Sequence, residues 1–168
     1  MVRQALLAHP QAKWQVALAG QGSEWAASQL PASFSPVAMG YVRSREQLAL
    51  CYEVADIFLF ASEAENFPCV ILEAMAAQCA VVATPTGGVR EQIQSGCDGL
   101  LAETISGEAL ARALAPVAAN PNYGRALGME ARRRVEKDFR EEQMVARHLE
   151  LYEALHLKSA TGVGAGVC

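Results

Sequence analysis

The apolar residues of this chain follow two patterns, one typical of strands and one typical of helices. Apolar runs at residues 56–62 and 80–85 show no alternation with polar residues, which indicates strands that are covered on both faces. Residues 15–20 also predict a buried strand, and two further strands are predicted at 35–42 and 99–103. Because helical segments separate these runs, the sequence predicts an α/β fold with a parallel, doubly wound sheet and helices on both faces.

Several helix boundaries are predicted from single residues. The hydroxyl of Ser44 can accept a hydrogen bond from a free N–H of the first turn, so a helix is predicted directly after it. Pro68 predicts the start of another helix, because a first-turn residue does not need its N–H. Further helices are predicted at residues 1–9, at 89–95 and from 106 onward, with breaks at 120–124 and near Phe139.

The last predicted helix is amphipathic. Val145, Leu149, Tyr152 and Leu155 fall on one stripe, which predicts that this helix docks on another surface. The segment that follows, 159–168, has neither bulk nor periodicity and is predicted to be a flexible tail.

Composition and charge exclude several classes of protein. The chain has 168 residues, of which 52% are hydrophobic, and a net charge of −4, so it is expected to fold and not to have nucleic acid as its main partner. Its five cysteines are odd in number and form no CxxC pair, which indicates a reduced, cytoplasmic protein without a zinc site. Since no apolar run approaches the roughly 20 residues of a membrane span, any membrane contact is expected to be peripheral.

The stretch SEAENFPCVILEAMAAQ, residues 62–78, carries the main candidate site. Glu65 lies in the loop before the helix predicted at Pro68, and Glu73 lies inside that helix. The first free amides of this helix, those of Cys69, Val70 and Ile71, are expected to favour an anion. A carboxylate can accept two vicinal hydroxyls, so the pair is suited to a sugar at one end and a ribose at the other.

A second strand end contributes to the same edge of the sheet, where ligands of doubly wound proteins bind. The sequence TPTGG provides the hydroxyls of Thr84 and Thr86, and its glycines, Gly87 and Gly88, allow close approach of a ligand to the backbone. A sugar nucleotide fits this combination better than a simple metabolite does.

The motifs in order resemble the retaining glycosyltransferases of the group 1 family, to which glycogen synthases and phosphatidylinositol mannosyltransferases belong. The family's E-x7-E hallmark is matched by Glu65 and Glu73, and it is flanked here by a G-x-G turn at Gly20 and Gly22 and by LEAMA, GG, DGLL and LELY. The resemblance covers roughly residues 14–153.

The resemblance implies a Rossmann-like domain that forms the C-terminal, donor-binding half of a GT-B fold. It also implies that Glu65 contacts the sugar and is the catalytic residue, that Glu73 binds the ribose, and that the reaction needs no metal and no cofactor. The donor is expected to be a UDP- or GDP-linked hexose. The predicted donor-binding residues are Gly20, Gly22, Tyr41, Val42, Arg43, Glu65, Phe67, Cys69, Val70, Glu73, Thr86 and Gly87.

The chain departs from the family pattern in two small ways and one large one. Asn66 and Pro68 stand where glycines are usual, which is expected to narrow the choice of sugar. The large departure is an absence. In the family the donor-binding domain begins with a strand followed by an Arg and a Lys, and an N-terminal acceptor-binding domain precedes it. Residues 1–158 match neither this first strand nor the acceptor-binding domain. This predicts a fragment that is inactive alone, in the cytoplasm or peripheral at the inner membrane face.

Two alternatives of other classes remain open from the sequence. One is a non-catalytic nucleotide-sugar-binding or interaction module that a partner chain completes. The other is a nucleotide-sugar epimerase of the same architecture, which the transferase pattern of the motifs disfavours.

Overall fold

The computed structural model describes residues 1–160, with the side chains described as far as residue 156. Its strands are β1 (Ala17–Ala19), β2 (Val37–Gly40), β3 (Ile57–Phe60), β4 (Ala80–Ala83) and β5 (Leu100–Leu101). Its helices are α1 (Val2–Leu7), α2 (Ser23–Ser28), α3 (Arg45–Glu53), α4 (Cys69–Ala76), α5 (Val89–Gln92), α6 (Gly107–Ala119), α7 (Pro121–Asp138) and α8 (Glu141–Ala160). The predicted alternation of strands and helices is confirmed.

All strand pairs are parallel, but they form two sheets. One contains β1 and β2, and the other has the order β3-β4-β5. In the second sheet Ile57 is paired with Ala80 and Phe60 with Ala83, so β3 and β4 are in register over their whole length. Among the described residues no ladder joins β1 or β2 to the larger sheet.

Hydrophobic clusters lie on both faces of the larger sheet, as a doubly wound protein requires. On one face Ala80 and Val82 of β4 pack with residues of α1 and α6. On the other face Val81 and Ala83 pack with α4, including Ile71. Every residue of β4 is therefore fully buried.

The prediction of a buried strand at residues 15–20 is wrong, and so is that of full coverage for 56–62. Ala17 and Ala19 are exposed, and β3 is only half-buried throughout. The physical reason is that each of these strands has a paired neighbour on one edge only. In the small sheet α2 is the helix that packs closely on the strands, so other apolar side chains of β2, such as Met39 at 40% exposure, remain open.

The predicted helix boundaries hold within a few residues. Ser44 caps α3, because its Oγ accepts a hydrogen bond of 3.3 Å from the amide of Gln47. Pro68 is the N-cap and not the first residue of α4. The helix predicted at 89–95 ends already at Gln92, because Ile93 has an extended backbone.

The stripe of α8 has the predicted periodicity, but it is exposed. Val145, Leu149, Tyr152 and Leu155 are 45–60% exposed, so its docking on another surface stays a prediction. Helix α8 runs to Ala160, which shows that residues 159 and 160 are helical and do not begin a tail. The rest of the predicted tail lies outside the described residues. None of the helices described is both long and apolar enough to cross a bilayer.

Candidate functional site

The loops that follow β3 and β4 hold most of the predicted site. Because the strands are parallel, the loop after β3, with Glu65, and the loop after β4, with Thr86 and Gly87, leave the sheet at the same edge. Helix α4 begins directly after the first of these loops. The sequence was therefore sufficient to place these residues together.

Glu65 is exposed, and its carboxylate is held by a neighbouring hydroxyl. The Oγ of Ser62 donates to Oε1 of Glu65 over 3.0 Å. The carbonyl of Ser62 in turn accepts a hydrogen bond of 2.6 Å from Oγ1 of Thr84, a fully buried residue at the end of β4. The hydroxyl of Thr84 is thus used inside the protein and fixes the start of the Glu65 loop.

Glu73 is also exposed and also accepts a hydrogen bond from a hydroxyl. The donor is Tyr52 of α3, whose phenol lies 3.1 Å from Oε2 of Glu73. Burial, and then the negative charge of Glu73, raise the pKa of Tyr52 well above its ordinary range. The phenol therefore stays protonated at neutral pH, and Glu73 accepts a hydrogen bond from a residue 21 positions earlier in the chain.

The N-terminus of α4 has two free amides and not the three that were predicted. The amide of Ile71 donates to the carbonyl of Pro68 over 3.2 Å, so it is not available to a ligand. Those of Cys69 and Val70 have no acceptor in the described chain. The carbonyl of Pro68 also accepts 3.1 Å from Nε2 of Gln92, which is fully buried. Gln92 therefore fixes the start of α4.

The two glycines of TPTGG let the two loops meet backbone to backbone. A Cβ on Gly87, whose φ is +44°, would lie 1.9 Å from the carbonyl oxygen of Glu65. A Cβ on Gly88 would lie 2.5 Å from the carbonyl oxygen of Asn66 and 2.7 Å from the ring of Phe67. Both positions thus exclude any side chain, and the glycines are needed for the loop contact itself.

Thr86 is a buried polar residue in the loop after β4, at the same edge of the sheet as Glu65. It is 3% exposed, and its Oγ1 has no hydrogen-bond partner in the described part of the chain. A buried hydroxyl without a partner is costly, so it is a reason to expect a ligand or water nearby.

The side chain of Phe67 is used for packing. Its ring centroid lies 6.3 Å from that of Phe139, and the guanidinium of Arg134 lies 5.7 Å from the Phe139 centroid. Arg134 is itself fixed by a 2.9 Å ion pair with the buried Asp98. The predicted donor contact of Phe67 therefore remains a prediction about its backbone.

The predicted residues after β1 and β2 form a separate group. The amide of Gly20 donates to the carbonyl of Gly40 over 2.7 Å, and the amide of Gly40 donates 2.9 Å to Oγ of Ser23. Positive φ values at Gly20, Gly22 and Gly40 produce these turns. They place the following residues, Tyr41, Val42 and Arg43, at the surface, with Tyr41 at 74% exposure. No hydrogen bond among the described residues joins this group to Glu65 or Glu73.

Three residues that support the site were missed from the sequence, namely Ser62, Tyr52 and Gln92. Ser62 lies three positions before Glu65, and this short spacing could have indicated the bond. Tyr52 and Gln92 act across 21 and 24 positions, and no local pattern reports such contacts.

The glutamate pair lies on open surface. Two open concavities, of about 270 and 170 Å³, lie along α7, one near Asp98 and one near Gln78, and neither is lined by Glu65 or Glu73. Among the described residues no three His, Cys, Asp or Glu side chains are grouped to hold a metal ion.

This combination of fold and strand-edge loops defines the class of protein. The family model described as "Glycosyl transferases group 1" matches residues 1–120, and the chain belongs to this family of glycosyltransferases. It is 30% identical to N-acetyl-alpha-D-glucosaminyl L-malate synthase of Bacillus anthracis over 112 residues. This alignment covers 67% of this chain and 29% of that protein. The lipopolysaccharide core biosynthesis mannosyltransferase LpcC of Rhizobium leguminosarum is 37% identical over 92 residues, 55% of this chain and 26% of that protein.

Solved structures have the same fold. Sucrose-phosphate synthase of Thermosynechococcus elongatus superposes with a TM-score of 0.75 at 26% identity, over 92% of this chain and 42% of that one. An Anabaena protein in complex with UDP-glucose gives 0.74 at 20% identity, over 91% of this chain and 44% of that one. These neighbours confirm a Rossmann-like domain of a GT-B glycosyltransferase, and the chain spans less than half of each.

Proposed function

We propose that this chain is the donor-binding part of a retaining glycosyltransferase that transfers a hexose from a nucleotide-diphosphate sugar. The observation that carries the proposal is the arrangement of Glu65 and Glu73 on either side of the α4 N-terminus, each with one hydroxyl donor and further lone pairs free. Glu65 would accept sugar hydroxyls and Glu73 the ribose hydroxyls.

The diphosphate would lie between the two acids. The free amides of Cys69 and Val70 and the positive end of the α4 dipole favour an anion there. The unpartnered hydroxyl of Thr86 is a further donor at this edge. In the transfer, the bond from the sugar to the diphosphate breaks and the acceptor bond forms with the same configuration, so stabilising the departing diphosphate is the main catalytic task.

The nucleotide is proposed to be a uridine or guanosine diphosphate. A uridine form is supported by the Anabaena neighbour, whose structure contains UDP-glucose. The base would lie near Tyr41, Val42 and Arg43, beside the turn formed by Gly20 and Gly22. A metal-free reaction and a cytoplasmic location remain parts of the proposal.

Sugar transfer is proposed to need a further polypeptide segment, whereas nucleotide binding is proposed to reside in the described residues. Each of β1 and β3 has a single paired neighbour, and both strands are less buried than β4. A strand between them would join the two sheets and cover these edges. The same segment, or one linked to it, would bring cations for the diphosphate and the acceptor site.

A non-catalytic nucleotide-sugar-binding module is the second candidate. The exposure of both glutamates favours it, because a catalytic site needs to exclude water. The upstream coding sequence separates the two. An in-frame strand with an Arg and a Lys, preceded by another Rossmann-like domain, is expected for the transferase, whereas a separately encoded partner is expected for the module.

Calorimetric titration with UDP, GDP, UDP-glucose and GDP-mannose tests the assigned roles. We expect Glu73→Ala to weaken binding of all four strongly, and Glu65→Ala to weaken only the two sugar-bearing forms. Glu63→Ala is the matched control, because Glu63 is exposed in the same loop. Equal losses of UDP binding in the Glu65 and Glu73 variants would refute the roles, and absence of all binding by the unaltered chain would refute the proposal.

A further inference from the structure

Glu73 belongs to the E-x7-E motif, but its hydrogen-bond donor, Tyr52, lies outside that motif. Tyr52 lies in the last turn of α3 and is 8% exposed, whereas Glu73 is exposed on α4. The phenol of Tyr52 donates 3.1 Å to Oε2 of Glu73. A buried, rigid donor thus holds a surface carboxylate.

The ring of Tyr52 is fixed on several sides. It meets the ring of Phe58 edge to face, with 5.5 Å between centroids. The carbonyl of Tyr52 accepts a hydrogen bond of 3.1 Å from Sγ of the buried Cys79. These contacts hold both the ring and the backbone against the core, which sets the position of the hydroxyl.

An exposed glutamate without such a contact samples several rotamers, and ordering them on ligand binding costs affinity. The hydrogen bond to Tyr52 selects one arrangement before the ligand arrives. It occupies one lone pair of Oε2 and leaves Oε1 and the second lone pair of Oε2 available to two vicinal hydroxyls.

We propose that Tyr52 is a positioning residue for the donor nucleotide, which pre-orients Glu73 toward the ribose hydroxyls without touching the ligand itself. This inference rests on the proposed function, because it requires Glu73 to be a ribose ligand. Burial also raises the pKa of Tyr52, so the phenol keeps its proton and the positioning contact persists through the neutral pH range.

The arrangement at Glu65 differs in kind. There the donor, Ser62, is three positions away in the same loop and is held through its carbonyl by Thr84, whereas its hydroxyl is not buried in the core. At Glu73 the donor belongs to another helix, α3, and is buried, so the hydrophobic core determines the position of the carboxylate. We therefore expect the ribose end of the site to be the more rigid one.

Tyr52→Phe removes the hydroxyl and keeps the ring. The readout is the affinity for UDP compared with 2′,3′-dideoxyuridine 5′-diphosphate, and for GDP compared with its dideoxy form, because only the natural nucleotides offer a ribose diol. We expect Tyr52→Phe to weaken binding of the natural nucleotide roughly 3- to 10-fold, the effect of one hydrogen bond, and to leave the dideoxy form unchanged. Tyr123→Phe is the matched control, since Tyr123 lies on α7 and its hydroxyl makes no hydrogen bond among the described residues.

A double-mutant cycle with Glu73→Ala completes the test. The cost of Tyr52→Phe should largely disappear in the Glu73→Ala background, because the group that Tyr52 positions has been removed. Equal weakening of natural and dideoxy nucleotides would show a general structural role and overturn the inference. UDP or GDP binding that depends on Glu73 but not on Tyr52 would overturn the inference and leave the proposed function standing. No binding by the unaltered chain would overturn both.

Discussion

The backbone amide of Gly88 donates a hydrogen bond of 2.6 Å to the backbone carbonyl of Asn66. This contact joins the loop after β4 to the loop that carries Glu65. The adjacent Gly87 approaches so closely that a Cβ would overlap the carbonyl oxygen of Glu65. The position of the candidate sugar ligand therefore depends on two glycines in another loop.

Gly87→Ala should displace the Glu65 loop. The substitution strains a backbone with positive φ and also collides with the Glu65 carbonyl, so we expect the free energy of unfolding to fall by about 1–3 kcal/mol or more. Affinity for UDP-glucose should fall more than affinity for UDP. Chemical denaturation and calorimetry measure the two effects.

Gly96→Ala is the control for Gly87→Ala, because it introduces backbone strain without a steric collision. Gly96 has a φ of +86°, but a Cβ there would meet nothing within 4 Å. We expect a smaller loss of stability and unchanged nucleotide binding. If both variants behaved alike, the loop contact would not determine the site.

Gln92→Glu should be strongly destabilising. Gln92 is fully buried and donates to the carbonyl of Pro68, so an ionised carboxylate there would face a carbonyl oxygen without water. We expect a loss of about 3 kcal/mol or more at pH 7, with partial recovery as the pH falls and the new carboxyl is protonated. Gln47→Glu, at an exposed position of α3, should change stability by less than about 0.5 kcal/mol. A tolerated Gln92→Glu would contradict the assigned burial and contact.

Local sequence features predicted the elements of this fold and the loop around Glu65. Pro68 indicated the start of α4 within one residue, and the continuous apolar run of β4 indicated its full burial. The exposure of β1 could not be predicted, because it depends on which strands are neighbours. The bonds from Tyr52 to Glu73 and from Gln92 to Pro68 are tertiary contacts, so residue types at fixed spacing do not report them.

Stability should decline at alkaline pH, in part because of Cys79. Burial raises the pKa of Cys79 from 9.0 to about 11, which means that folding favours the protonated thiol. The contribution is fully present below about pH 9 and is lost as the pH rises through 11, and it is worth on the order of 2 kcal/mol.

Denaturant titrations between pH 8 and 11 measure this decline. The free energy of unfolding should fall less steeply with pH in Cys79→Ala, which is less stable at pH 7 but has no thiol to titrate at this position. This dependence on pH is the slope compared below. Cys97→Ala should keep the slope of the unaltered chain, because Cys97 is exposed. Identical slopes in all three proteins would argue against a buried, protonated Cys79.

The position of the diphosphate at the α4 N-terminus is tested most directly by alkylation of two cysteines. Cys69 is the first residue of α4 and is exposed, and Cys97 is also exposed but belongs to the segment between α5 and β5. Iodoacetamide labelling, followed by peptide mass spectrometry, gives the rate at each thiol with and without saturating UDP-glucose or GDP-mannose. We predict that the nucleotide sugar slows alkylation of Cys69 severalfold and leaves Cys97 unchanged. An unchanged rate at Cys69 would contradict the proposed site.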